Sequence, residues 1–234
     1  MGVYAARVYE GFYLNGLVAG RMSKSGVVGY IASLPVPEVV QGLDAFMLGM
    51  RSVNPKATVK VVWLNTWYDP GREREAANAL LSEGADVLTS VLSSPVAVQV
   101  AQEHDAYAVT WQSDMAKYGP RAQLSCALLD WSGLYIKTTE AVFNGTWKPG
   151  NDWLGVREGV IRMVGLNPSL PPDVKQLVEQ REAEMKSGAF KPFTGPIVDQ
   201  DGKQRVAAGA SLSDDELRRL DWLAAGIQGR IPSR

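Results

Sequence analysis

Three tryptophans, Trp67, Trp111 and Trp131, stand where short apolar runs give way to polar residues, and each has hydrogen-bonding neighbours. Gln112, Asp114, Asp69 and Asp130 are those neighbours, while Pro35 and Ser93 stand just after two other apolar runs. Flat rings flanked by donors and acceptors suit a planar heteroaromatic ligand, because stacking on an aromatic side chain contributes about 1–3 kcal/mol per base. Ordinary packing is the competing reading for each indole. Asp69 and Asp130 also read as caps of the helices that follow them.

Chemistry of other kinds finds no residues to carry it. The turn after the first strand of the α/β alternation described below reads Ala32-Ser33-Leu34-Pro35-Val36-Pro37, with prolines where a dinucleotide-binding loop needs glycines. Gly-x-Ser-x-Gly is absent, and a Ser/His/Asp triad would have to use the one histidine, His104, which belongs to a helix end. One cysteine, Cys126, allows neither an internal disulfide nor a cysteine-cluster metal site. Asp199-Gln200-Asp201-Gly202 opens like a calcium loop but lacks the closing Glu, so a hairpin turn is expected. Asn144-Gly145-Thr146 matches a glycosylation sequon and doubles as a helix stop. No catalytic residue, metal or cofactor is expected.

The elements that must hold the tryptophans alternate in type. Val27–Ala32, Thr58–Leu64, Asp86–Thr89 and Tyr107–Trp111 are short and rich in β-branched residues, which reads as strands. Between them lie helical patterns: Val39, Val40, Leu43, Phe46, Met47 and Met50; then Ala76, Ala77, Leu80 and Leu81; then a stretch from Ser94-Pro95 to Glu103. Asp69-Pro70 supplies a cap and a first-turn proline, and Gly84 a left-handed stop. Such alternation implies a parallel sheet covered by helices, with ligands taken at the carboxyl ends of the strands. Residues 4–22 read as a leading helix. Further on come a strand at Leu124–Leu129, a helix from Trp131 to Phe143 and a short strand within Gly155–Val164. A helix from Pro172 to Ser187, a hairpin over Phe193–Val206 and a capping box at Ser213–Glu216 complete the reading.

With 46% hydrophobic and 21% charged residues, the 234-residue chain has an ordinary globular composition. A net charge of −1 argues against nucleic-acid binding, and no apolar run approaches the roughly 20 residues that span a bilayer.

Several segments together resemble the BMP (basic membrane protein, PnrA-like) family of ABC-transporter substrate-binding proteins. They are Tyr9-Glu10-Gly11-Phe12-Tyr13-Leu14, Leu34-Pro35-Val36-Pro37-Glu38-Val39, Val53-Asn54-Pro55-Lys56-Ala57, Trp67-Tyr68-Asp69-Pro70, Glu73-Arg74-Glu75-Ala76-Ala77 and Gly84-Ala85-Asp86-Val87. Phe193-Thr194-Gly195-Pro196-Ile197, Asp199-Gln200-Asp201-Gly202 and Asp221-Trp222 extend the likeness almost to the end.

The resemblance implies a type I periplasmic-binding fold, two α/β lobes closing on a ligand, with mainly the second lobe present here. On that view residues 1–24 are a remnant of the first lobe with its crossover helix and 25–112 the second lobe. Residues 113–121 would cross between lobes, 122–165 return, and 166–234 pack across the lobes. It also implies binding of a purine nucleoside or nucleobase without turnover, and partnership with a membrane permease, an ATPase and a missing N-terminal lobe. A periplasmic or cell-surface lipoprotein location follows in the same way, although no signal peptide or lipobox is visible in these residues. The ligand set expected is Trp67, Trp111, Gln112, Asp114, Trp131, Ser93 and Pro35.

Gln112 stands where relatives carry an acid, and an amide donates as well as accepts. Leu129 likewise replaces a larger residue. A ligand-sensing effector domain of a regulator is the alternative, and no helix-turn-helix accompanies it.

Overall fold

The computed structural model describes residues 1–232. Its centre is a seven-stranded sheet built from β2 (Val27–Ala32), β3 (Thr58–Trp63), β4 (Val87–Ser90), β5 (Tyr107–Gln112), β6 (Gln123–Leu129), β8 (Ile161–Val164) and β11 (Ile227–Gln228). The spatial order is β11-β3-β2-β4-β5-β6-β8, and every pairing is parallel except the antiparallel edge β6–β8. Helices α1 (Val8–Met22) and α2 (Pro37–Val53) cover one face, and α3 (Pro70–Ser82) and α4 (Val96–Glu103) the other. This is the doubly wound arrangement that the alternation of elements implies.

Side chains of β2 divide the core in two. Val28, Tyr30 and Ala32 join the α1/α2 layer, while Ile31 joins the α3/α4 layer, as a period of two requires. Against the sheet, α1 and α2 approach so closely that glycine is needed. A Cβ at Gly16 would strike the carbonyl of Phe46, and one at Gly49 the carbonyl of Tyr13.

The sequence signals at helix ends are mostly realised. Asp69 Oδ1 accepts from Arg72 N at 3.0 Å, Gly84 adopts φ +96°, and Ser213 and Glu216 form a reciprocal capping box on α7 (Asp214–Leu217). The hairpin pairs β9 (Ile197–Val198) with β10 (Gln204–Val206) and turns through Gly202 at φ +84°. His104 is exposed at the end of α4.

One expectation is corrected. Residues 4–22 are not one helix. The chain begins as β1 (Val3–Ala6), paired in parallel with β7 (Asn151–Leu154), and only then enters α1. Backbone pairing with a segment about 150 residues away settles this, and nothing local in Tyr4-Ala5-Ala6 announces it. Residues 113–121 join β5 to its parallel neighbour β6 by way of a short 3-10 turn at Ala116–Tyr118. Ser113 N donates to Trp111 O at 2.7 Å around Gln112 at φ +67°, a three-residue reversal that turns the chain back towards the neighbouring strand β6.

The part that does stand away is α5 (Ser132–Phe143), which contains no buried residue. Tyr135, Ile136, Val142 and Phe143 on it are exposed, as are Tyr4 and Trp147 beside it. The other long helix, α6 (Pro172–Ser187), packs Val174, Val178 and Met185 into the α1/α2 layer and ends on Gly188 at φ +80°.

Candidate functional site

From β2 the chain moves to β3 on one side and then passes back across to β4 on the other. Strand order therefore reverses around β2, and the crevice outside the carboxyl ends there is where open α/β sheets take ligands. Residues 33–36, 64–69 and 91–95 follow the carboxyl ends of β2, β3 and β4 there.

These loops are tied to one another by main chain. Asn65 N donates to Ser33 O at 3.0 Å, and Ser93 N donates to Trp67 O at 2.9 Å. Asn65 holds φ +54°, an uncommon conformation for a residue with a side chain. Arg72 Nη1 reaches back to Leu64 O at 3.0 Å, so the first turn of α3 fixes where the loop begins.

Among the described residues, Trp67 alone of the three indoles has no aromatic partner, and it is 41% exposed on its loop beside Tyr68 at 65%. Ser93 is exposed next to it, and half-buried Pro35 follows the buried Ser33. Trp111 is committed elsewhere. Its ring lies 5.7 Å from Phe12 and packs against the α1/α2 core. Trp131 meets Tyr4 edge-on at 4.9 Å and Tyr135 at 6.5 Å, where β1 and α5 come together.

Gln112 forms the exposed tip of the reversal after β5. Asp114 follows that reversal and turns back along the strand. Its Oδ1 accepts from Ala116 N at 2.9 Å and from Gln123 Nε2 at 2.7 Å, which leaves one oxygen uncommitted. The structure thus brings Trp67 and Ser93 together, with Pro35 on the loop after β2 and Gln112 at the end of β5, and assigns Asp114, Trp111 and Trp131 internal contacts. Asp130, one residue before the Trp131 N-cap of α5, accepts from Ser132 N at 3.0 Å and pairs with Arg162; the Ser132 bonds, with Arg162 nearby, hold its carboxyl below the usual range.

Glu73 was not among the residues expected here. Fully buried in the first turn of α3, it accepts from Ser90 Oγ at 2.6 Å and from Ser94 Oγ. Burial pushes its carboxyl above the usual range, and the serine hydroxyls oppose that shift. A signal existed: Glu73, Ala76, Ala77 and Leu80 share the i, i+3, i+4, i+7 spacing of a buried stripe.

The residues converging here can stack, donate and accept. Among the described residues no group of three His, Cys, Asp or Glu side chains is arranged to hold a metal ion.

Residues 2–191 match the family of PnrA-like ABC transporter substrate-binding proteins. This chain belongs to that family. A purine-binding protein of Brucella abortus (strain 2308) is 46% identical over 232 residues, which is 99% of this chain and 66% of the relative. A putative ABC transporter glucose-binding protein of Haloferax volcanii is 33% identical over 234 residues, covering 100% of this chain and 57% of its own length. This PnrA-like chain therefore spans about two thirds or less of these two relatives. An ABC transporter solute-binding protein from Conexibacter woesei superposes with a TM-score of 0.69 at 22% identity, over 80% of this chain and 64% of the other. That likeness shows the fold, the α/β architecture of type I periplasmic-binding proteins. No helix among the described residues is long and apolar enough to cross a membrane.

Proposed function

We propose that this PnrA-like chain supplies one lobe of a solute-binding protein of an ABC importer, and that it takes a purine nucleobase or nucleoside without chemical turnover. The observation that carries this is Trp67, an unpartnered indole standing 41% exposed at the switch point of the sheet, with Ser93 bonded to its own carbonyl loop. A ring so placed loses little by waiting in water and gains about 1–3 kcal/mol when a base stacks on it. Gln112 offers both a donor and an acceptor to the edge of such a base. The 46% identity to a protein described as purine-binding supports the same ligand class.

A ligand gains affinity when most of its surface is enclosed, and one strand-end crevice cannot do that alone. A second lobe would close over it, docking on α5, β1 and Trp147, whose apolar side chains are exposed. On this reading β1, residues 129–132 and β7 are the crossings, and the bound solute passes to a membrane permease driven by an ATPase. The protein works outside the cytoplasm, as a periplasmic or lipid-anchored component.

Isothermal calorimetry of the two-lobed protein against adenine, guanine, their nucleosides, glucose and amino acids tests the reading. A purine is expected to bind most tightly. Tighter binding of glucose or of an amino acid than of any purine ends it.

A further inference from the structure

Resting on the reading of the crevice as the ligand site, we propose that Glu73 is its positioning residue: one buried carboxylate sets the loops that carry Trp67 and Ser93. The two carboxylate oxygens are used separately. Oε1 accepts from Ser90 Oγ, at the last residue of β4, and Oε2 accepts from Ser94 Oγ, two residues before α4 begins.

Each hydroxyl that donates to Glu73 also accepts from a loop amide, Leu92 N to Ser90 Oγ at 3.2 Å and Val96 N to Ser94 Oγ at 3.3 Å. The path of residues 90–96 is thereby written by one side chain. Glu73 belongs to the first turn of α3, whose cap Asp69 ends the 64–69 loop, and the Ser93 N to Trp67 O bond joins that loop to the other. An acceptor-only group satisfies this arrangement in full. An amide presents a donor where one hydroxyl now donates, so that hydroxyl must turn round and one bond is weakened. Shortening the side chain removes the acceptors altogether and leaves the hydroxyl protons of part-buried Ser90 and buried Ser94 without a partner, at a cost that falls on the loops themselves.

The experiment uses the two-lobed protein, with amide hydrogen exchange read over residues 64–70 and 90–96 and adenine binding followed by calorimetry. The variants are Glu73→Gln, Glu73→Ala and the double change Ser90→Ala with Ser94→Ala, the last being the arm to use if Glu73→Ala fails to fold. Exchange in both loops is expected to rise by about tenfold in Glu73→Ala and in the double serine variant, and by less in Glu73→Gln. Adenine binding is expected to weaken in the same order, by about tenfold at most. Unchanged exchange in both loops overturns the proposal whatever adenine does. Loosened loops with unchanged adenine affinity overturn it as well, because positioning would then be irrelevant to binding. A wild-type chain that binds no adenine, yet shows the expected exchange pattern, defeats the ligand reading and leaves Glu73 as the residue that sets the loops.

Discussion

Asp44 on α2 is fully buried, accepts a single hydrogen bond, from Ala224 N at 2.8 Å, and leaves its other oxygen without a partner. Burial raises its pKa well above the ordinary value of 3.8, and the nearby Asp199 adds to the effect. Linkage gives the sign. A carboxyl whose folded pKa lies above its unfolded value contributes stability that is fully present below the unfolded pKa and lost as pH rises to the folded one. The loss is about 1.4 kcal/mol for each pH unit between the two. Asp44→Asn keeps an oxygen for the Ala224 amide and cannot ionise. Its unpartnered NH2 replaces an unpartnered oxygen, so the desolvation costs of about 1–3 kcal/mol largely cancel.

The variant is therefore expected to match wild type near the ordinary carboxyl pKa and to gain on it by up to about 1.4 kcal/mol per pH unit above that. The gain levels off once Asp44 ionises in the folded protein. Urea unfolding at intervals from about pH 4 to about pH 8 measures it. A difference that stays flat across the range would show that Asp44 titrates like an exposed carboxyl, and the reasoning from burial would fail.

Other substitutions separate site from core. Trp67→Ala should weaken purine binding by about 1–3 kcal/mol with little change in melting temperature, as calorimetry beside a thermal scan would show. Trp111→Ala, which strips a ring from Phe12, should instead cost about 3 kcal/mol of stability in chemical denaturation. Gly49→Ala drives a methyl into the Tyr13 carbonyl and should destabilise by about 1–3 kcal/mol or more on the same assay. Expressed alone, the 234-residue chain should self-associate through the exposed α5 face and bind purines with a Kd no better than roughly millimolar. Replacing Ile136 and Phe143 by Ser should reduce that association in light scattering.

What was legible in the sequence was whatever depends on near neighbours. The four central strands, the Asp69 and Ser213 caps and the turn at Gly202 follow from composition and spacing within a few residues. Elements created by distant pairing were not. β1 needs Asn151–Leu154, and β11 is a strand of two residues that exists because β3 has a free edge. At the site, the aromatic positions could be named but not sorted. Trp67, Trp111 and Trp131 look alike in sequence, and only Phe12, Tyr4 and Tyr135 tell which rings are occupied. Asp114 followed the strand on paper, but the reversal at Gln112 carries it towards Gln123. Glu73 was missed because a carboxylate in a buried stripe reads as an exception until its two serines are seen.

The glycine contacts between α1 and α2 make the two faces of the sheet mechanically unequal. Where backbone rests on backbone at Gly16 and Gly49, there are no side-chain rotamers to yield, so that layer behaves as a stiff plate behind Trp111. On the opposite face the link between α3 and the 90–96 loop is a carboxylate and two hydroxyls, groups that can rotate and exchange partners. Compliance is thus concentrated on the side that carries Trp67 and Ser93. Any adjustment of the crevice to ligands of different size must be absorbed there, while the strands beneath keep their register.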